Sequence, residues 1–151
     1  MSFAKVLDTL EALDSPYRFP YKDFQIVGDT AEIDQTINTC GVINLDVADI
    51  ESTLSKERAN YVVVGFGAGD NCMSDALKDA IDKLPIGVEG ISKLLFNIWI
   101  PRDMPSPVNY VNSLTEFIQP LSVDIDICWG CAHDESLSGQ QVKVTLIAAS
   151  K

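Results

Sequence analysis

Two long apolar segments constrain the fold of this chain more than any other feature of the sequence. Tyr61–Phe66 is rich in valine and Lys93–Ile100 is apolar at most positions, which is typical of strands buried on both faces. Each is followed by a segment whose apolar residues recur at helical spacing, Cys72–Leu84 in one case and residues 108–118 in the other. Strands joined through a helix can run parallel. This order predicts a sheet covered by helices.

Two further strands complete the predicted sheet. Val123–Trp129 alternates apolar and polar residues, and Gln141–Ala149 does so less strictly, with a connection short enough for a hairpin. Upstream, a helix is predicted over Thr30–Thr39, with Gly41 as its left-handed stop and a short helix after it. The predicted fold class is α+β: a two-layer sandwich in which helices pack on a mixed four-stranded sheet.

Charge and hydropathy argue against several classes of function. Eleven basic residues face twenty-two acidic ones, so the formal net charge is -11. Nucleic acid and anionic membranes are bound through Lys/Arg patches, so neither is expected as a partner. No segment approaches the roughly 20 apolar residues of a membrane span. Ser2–Leu13 has the acidic, amphipathic pattern of a helix and not of a signal peptide, so a cytoplasmic protein is expected.

The segment Gly41–Ile50 carries the most specific pattern in the chain. It reads Gly-Val-Ile-Asn-Leu-Asp-Val-Ala-Asp-Ile and resembles G-[LV]-I-N-[LV]-D-[FV]-A-D-[VI], the loop and helix after the long central helix of FtsZ. The resemblance to the tubulin/FtsZ superfamily continues from about Thr36 to the C-terminus. It divides the chain into an N-terminal helical segment with a remnant of the central helix, residues 1–40, and an FtsZ C-terminal-like domain, residues 41–151.

The resemblance implies a catalytic role for three polar residues of this segment. FtsZ and tubulin hydrolyse GTP where two subunits stack, and one subunit inserts this acidic loop towards the nucleotide of the next. Carboxylates there orient the attacking water, which implies that Asn44, Asp46 and Asp49 act on a partner's nucleotide. The residue types alone also fit a structural role, in which Asp46 caps the following helix and Asp49 lies in its first turn. Both roles stay open at this point.

The printed sequence lacks the phosphate-binding loops of a self-sufficient GTPase. It contains neither the G-G-G-T-G-[ST]-G loop of the superfamily nor a G-x-x-x-x-G-K-[ST] loop. The glycines of Gly65–Gly69 are expected to end the strand before them, and alone they are a poor nucleotide signal. We therefore expect no GTP binding by the chain itself, no cofactor and no metal site. GTP and magnesium would belong to a partner.

The four cysteines are expected to be reduced thiols, although two of them form a C-x-x-C motif, Cys128–Cys131. A redox dithiol usually lies at a helix N-terminus, whereas this motif lies at the end of a predicted strand. Structural zinc needs four ligands, which would require His133 and a distant cysteine such as Cys40 or Cys72. Small buried thiols are the simplest interpretation, and His133 is expected in a solvated loop.

These patterns together favour an interaction module over an enzyme that acts alone. Such a module would dock on an FtsZ- or tubulin-like GTPase and complete its site in trans. It would otherwise cap a filament, because head-to-tail growth stops at a subunit that offers no nucleotide site. Self-association is also open. The alternative from a different class is a repurposed domain that binds a small ligand or serves as a self-associating scaffold.

Overall fold

The computed structural model describes residues 21–39, 41–103, 108–121 and 123–151. The predicted helix over Ser2–Leu13 and the thiol of Cys40 lie outside these ranges. Within them, no helix combines the length and the apolar character that a bilayer span requires.

The described residues form four α-helices and five strands, besides two single-turn 3-10 helices. In chain order the elements are β1 (Gln25–Val27), α1 (Ala31–Asn38), α2 (Val47–Thr53), β2 (Ala59–Ala68), α3 (Cys72–Lys83), β3 (Ile91–Ile100), α4 (Val108–Leu121), β4 (Asp126–His133) and β5 (Gln141–Ser150).

The strands form one mixed sheet in the order β1-β2-β5-β3-β4. β1 runs parallel to β2 and β3 runs parallel to β4, while β5 is antiparallel to both of its neighbours. The predicted α+β fold with a mixed sheet is confirmed. The structure adds β1 as a fifth strand. The sequence did not predict it because three residues are too few to show a recognisable alternation.

The hairpin predicted between the last two strands is wrong. Among the five strands β4 pairs only with β3, and residues 134–140 carry the chain past the end of β3 so that β5 lies between β2 and β3. The amide of Asp134 donates to the carbonyl of Ile100 at 2.9 Å and fixes the start of this crossing. The physical reason is burial: β5 is buried over nearly its whole length, as an interior strand must be, whereas β4 is mostly half-buried.

Helices cover both faces of the sheet, which adds a layer to the predicted two. Leu94, Phe96 and Ile98 of β3 pack on one side with α3 and α4. Leu95, between them in sequence, packs on the other side with α1, α2 and Ile147. This division follows from the period of two along a strand. The sheet therefore has two cores, and the segment Gly41–Ile50 belongs to the second.

The glycines of β2 do not end the strand as predicted. Gly65 and Gly67 lie within it and face α3 so closely that a Cβ on Gly65 would be 2.2 Å from the carbonyl oxygen of Ala76. A Cβ on Gly67 would be 2.0 Å from the carbonyl oxygen of Cys72. These glycines therefore allow direct packing of strand and helix backbones, and the turn falls at Gly69, which has a φ of 91°.

Candidate functional site

The acidic loop, residues 41–49, lies against the edge strand β4. Ile43 and Cys131 exchange two backbone hydrogen bonds, each 3.0 Å long. A Cβ on Gly130 would be 2.7 Å from the carbonyl oxygen of Ile43 and 2.7 Å from Cγ of Leu45. The loop can therefore approach this closely only because glycine occupies that position of the strand.

Gly41 also allows the loop to lie close to β4, and it is not the helix stop that was predicted. Helix α1 ends at Asn38, and Thr39 after it is already extended, with φ of -104° and ψ of 123°. A Cβ on Gly41 would be 2.5 Å from the carbonyl oxygen of Cys131. The Gly41 amide donates to the side-chain oxygen of Asn44, which closes the loop into a tight turn.

The structural role expected of the two aspartates is confirmed. Asp46 is the N-cap of α2, and its Oδ1 accepts a hydrogen bond from the Asp49 amide at 3.0 Å. The Asp46 amide donates in return to Oδ2 of Asp49 at 2.9 Å. This reciprocal pair is a capping box, which satisfies two backbone donors that the helix leaves unpaired.

The side chains predicted to form the site remain at or near the surface despite these contacts. Asn44 and Asp46 are exposed and Asp49 is half-buried, while Leu45 and Ile50 are buried in the second core. The structure therefore brings the three predicted site residues together on one short segment. Leu45 and Ile50 anchor the segment to the sheet, whereas Asn44 and Asp46 face outwards.

Cys128 of β4 and Lys93 of β3 contact the short helix α2 at its two ends. The Cys128 thiol of β4 donates to Oδ1 of Asp49 at 3.8 Å. Burial first, and then the negative charge of Asp49, raise the pKa of Cys128 above its ordinary 9.0. At the other end, Nζ of Lys93 donates to the carbonyl of Ser52 at 2.8 Å, which places a cation at the negative end of the helix.

The helix that precedes the loop is tied to the sheet by a polar network. Nζ of Lys143 lies 3.0 Å from Oε2 of Glu32 in an ion pair that is largely shielded from solvent, and 5.7 Å from the centre of the Trp99 ring. The Thr145 hydroxyl donates to Glu32 at 3.2 Å and accepts from the Trp99 indole at 2.9 Å. α1 is thereby fixed over β5 and β3.

The C-x-x-C motif is not a chelating pair. Cys128 packs in the core beneath α1 and α2, whereas Cys131 packs in the core beneath α3 and α4. Residues three apart in a strand point to opposite faces, so these two thiols cannot bind one ion or bond to each other. No group of three or more His, Cys, Asp and Glu side chains among the described residues is arranged to hold a metal ion.

Sequence reasoning did not find the residues that position the loop. Lys93, Cys128 and Gly130 are more than forty positions from their contacts in the loop and helix α2, and the Cys128–Asp49 contact spans 79 positions. The one available signal was the glycine inside the C-x-x-C motif, because glycine in a strand often marks a close backbone approach.

The sequence and the fold of this chain are similar to those of FtsZ proteins. No family model matches the chain. The cell division protein FtsZ of Porphyromonas gingivalis is 27% identical over 146 residues, which cover 87% of this chain and 32% of that protein. The FtsZ of Haloferax mediterranei is 25% identical over 139 residues, covering 89% of this chain and 36% of that protein.

A solved structure supports the same fold. An FtsZ from M. jannaschii, described as an empty dimer, aligns with a TM-score of 0.59 at 19% identity, over 99% of this chain and 40% of that one. The chain is therefore FtsZ-like in sequence and fold. It spans about a third of the length of the curated FtsZ relatives described above.

Proposed function

We propose that this chain uses the loop Asn44–Asp49 to act on the nucleotide of an FtsZ- or tubulin-like GTPase, in another subunit and not in its own. The observation that carries this proposal is the geometry of the loop. Its carboxylates are exposed or half-buried while its backbone is fixed to the sheet and to helix α2. On this proposal the chain corresponds to the C-terminal domain of FtsZ.

The chemistry that suits this loop is water positioning. In phosphoryl transfer the protein contributes mainly by placing the attacking water in line with the phosphorus and by stabilising charge. A carboxylate can accept a hydrogen bond from that water if it is held at the right place. The capping box holds Asp46 and Asp49 before a partner arrives, so little ordering is needed at the contact. GTP and magnesium are then supplied by the partner.

The proposed partner is an FtsZ-like GTPase or a second copy of an FtsZ-like chain. Head-to-tail contacts place one surface of a subunit on a different surface of the next. The loop then meets a nucleotide-bearing surface of its neighbour. We expect the chain alone to bind no GTP, and GTP retained by the purified chain at a one-to-one ratio would contradict this.

Titration of the chain into a polymerising FtsZ tests the proposal. Phosphate release and polymer mass are measured together, the second by sedimentation. A rise in phosphate release per polymer supports completion of the site, and a loss of polymer without such a rise supports capping of filament ends. No change in either quantity would contradict the proposed function.

Two variants make this titration specific to the loop. Asp46→Asn removes the charge but keeps a side chain that caps helices as well as aspartate does. Asp82→Asn removes an equal charge from the exposed face of α3 and serves as the matched control. We expect Asp46→Asn to lose the effect on phosphate release and Asp82→Asn to keep it.

A further inference from the structure

We propose that Cys128–Cys131 is a positioning element for the acidic loop, and that Cys128 is the positioning residue of Asp49. The inference gives a role to a motif that binds no ion through its two thiols. It rests on the proposed function only for its consequence in GTP hydrolysis. The positioning itself is a property of this chain and is testable without a partner.

Three positions of the motif contact the loop in three different ways. Cys128 donates its thiol hydrogen to Oδ1 of Asp49 at 3.8 Å. Gly130 leaves the space that Leu45 and the Ile43 carbonyl occupy. Cys131 contributes only its backbone, through the two hydrogen bonds to Ile43. Cys128 and Gly130 face the side of the sheet that α2 covers, as residues two apart in a strand do.

The contact from Cys128 completes the orientation of the Asp49 carboxylate. The capping box uses Oδ2 of Asp49, which accepts from the Asp46 amide at 2.9 Å. That single bond restrains the carboxylate through one oxygen only. The thiol contacts Oδ1 and adds a second restraint on the plane of the carboxylate. A carboxylate held at both oxygens presents its remaining lone pairs in a defined direction.

The arrangement also explains why the two thiols are not equivalent. Burial first, then the negative charge of Asp49 and last that of Asp46, disfavour the thiolate of Cys128, whereas burial alone acts on Cys131. The reactivity of Cys128 towards an alkylating reagent therefore reports on the carboxylate beside it. Cys131 provides an internal control in the same protein.

Alkylation of the full chain by iodoacetamide near pH 8, followed site by site with mass spectrometry, tests the contact. We expect Asp49→Asn to speed alkylation of Cys128 by roughly two- to tenfold, because the neighbouring charge that disfavours the thiolate is removed. Cys131 should react at an unchanged rate. An unchanged rate at Cys128 would overturn the proposal.

The variant Asp46→Ala distinguishes two causes of faster alkylation at Cys128: fraying of helix α2 and loss of the contact with Asp49. This variant removes the cap and the Asp46 charge, which acts less on Cys128 than Asp49 does, and it keeps the Asp49 carboxylate. It should therefore speed alkylation of Cys128 less than Asp49→Asn does. An equal or larger acceleration in Asp46→Ala would mean that the thiol is exposed by fraying, and it would overturn the proposal.

The consequence for hydrolysis is tested with Cys128→Ser and Cys128→Ala in the titration described above. Serine keeps a hydrogen-bond donor at this position, so Cys128→Ser should keep the effect on phosphate release. Cys128→Ala should reduce that effect severalfold. Full effect with Cys128→Ala would overturn the positioning role. If the unmodified chain leaves FtsZ unaffected, the proposed function fails, and the alkylation experiment still decides the contact.

Discussion

Asp46 caps helix α2 and is also proposed to act on the nucleotide of a partner, and a pair of substitutions separates the two roles. Its Oδ1 accepts the Asp49 amide and caps α2, while the side chain as a whole stays exposed. Asparagine can reproduce the cap but carries no charge. Alanine carries no charge and cannot cap the helix. The stability of the chain and its effect on a partner should therefore respond differently to the two changes.

We expect Asp46→Ala to lower the free energy of unfolding by about 1 kcal/mol, because the first turn of α2 loses its cap. Asp46→Asn should lower it by less than half as much. Urea unfolding followed by far-UV circular dichroism measures both. Equal losses in the two variants would show that the side chain does not stabilise the helix through its cap.

Asp79 offers a test that depends on pH. The Phe66 amide donates to its Oδ2 at 2.9 Å and Lys83 lies 3.0 Å away, and these two partners hold the pKa of Asp79 below its ordinary 3.8. A lowered pKa in the folded state means that the contact stabilises the protein above pH 3.8 and is lost as the pH falls further. A carboxyl titration by NMR should give a midpoint below 3.8 for Asp79. In Lys83→Gln that midpoint should move upwards, and an unchanged midpoint would contradict the assignment.

At the scale of elements, β2 and α3 pack with their backbones in direct contact. Gly65 and Gly67 face the α3 backbone, and the ion pair of Asp79 and Lys83 reaches over the edge of β2 to the Phe66 amide and the Val64 carbonyl. β1 pairs with β2 only over residues 59–61, so these α3 side chains occupy backbone groups of an otherwise open edge. Such cover limits edge-to-edge association.

Alanine at either strand glycine should destabilise the fold by about 1 to 3 kcal/mol, because a new Cβ would overlap backbone atoms of α3 that cannot move alone. Gly90→Ala is the matched control, since its Cβ would meet only Ile86 atoms at 3.9 Å. Thermal unfolding compares the three variants. A loss with Gly90→Ala as large as with Gly67→Ala would contradict the packing argument.

The elements also show what periodicity alone predicts. The runs that became β2 and β3 and the buried stripe of α3 were predicted because their patterns are local to each segment. The two partners of β5 were not predicted, because strand order depends on burial across the whole sheet. In the site, local features were likewise predicted and long-range contacts were not. The loop residues and the cap were found from ten consecutive positions, whereas Cys128 contacts them from 79 positions away.

At the scale of the whole molecule, the two faces of the sheet serve different purposes. The face under α3 and α4 is a core of aliphatic and aromatic residues, including Phe96 and Phe117 in edge-to-face contact with ring centres 5.7 Å apart. The opposite face carries α1, the acidic loop and α2, with the Glu32–Lys143 pair beneath α1. Under the proposed function, the second face is the one that positions groups for a partner.

Complementation tests this account most directly. An FtsZ whose own acidic loop has been neutralised is mixed with GTP and increasing amounts of this chain, and phosphate release is measured. We predict that the chain restores release in proportion to its concentration, and that Asp46→Asn, which keeps the helix cap, does not. Restoration by both proteins, or by neither, would contradict the claim that these carboxylates act on the nucleotide of another subunit.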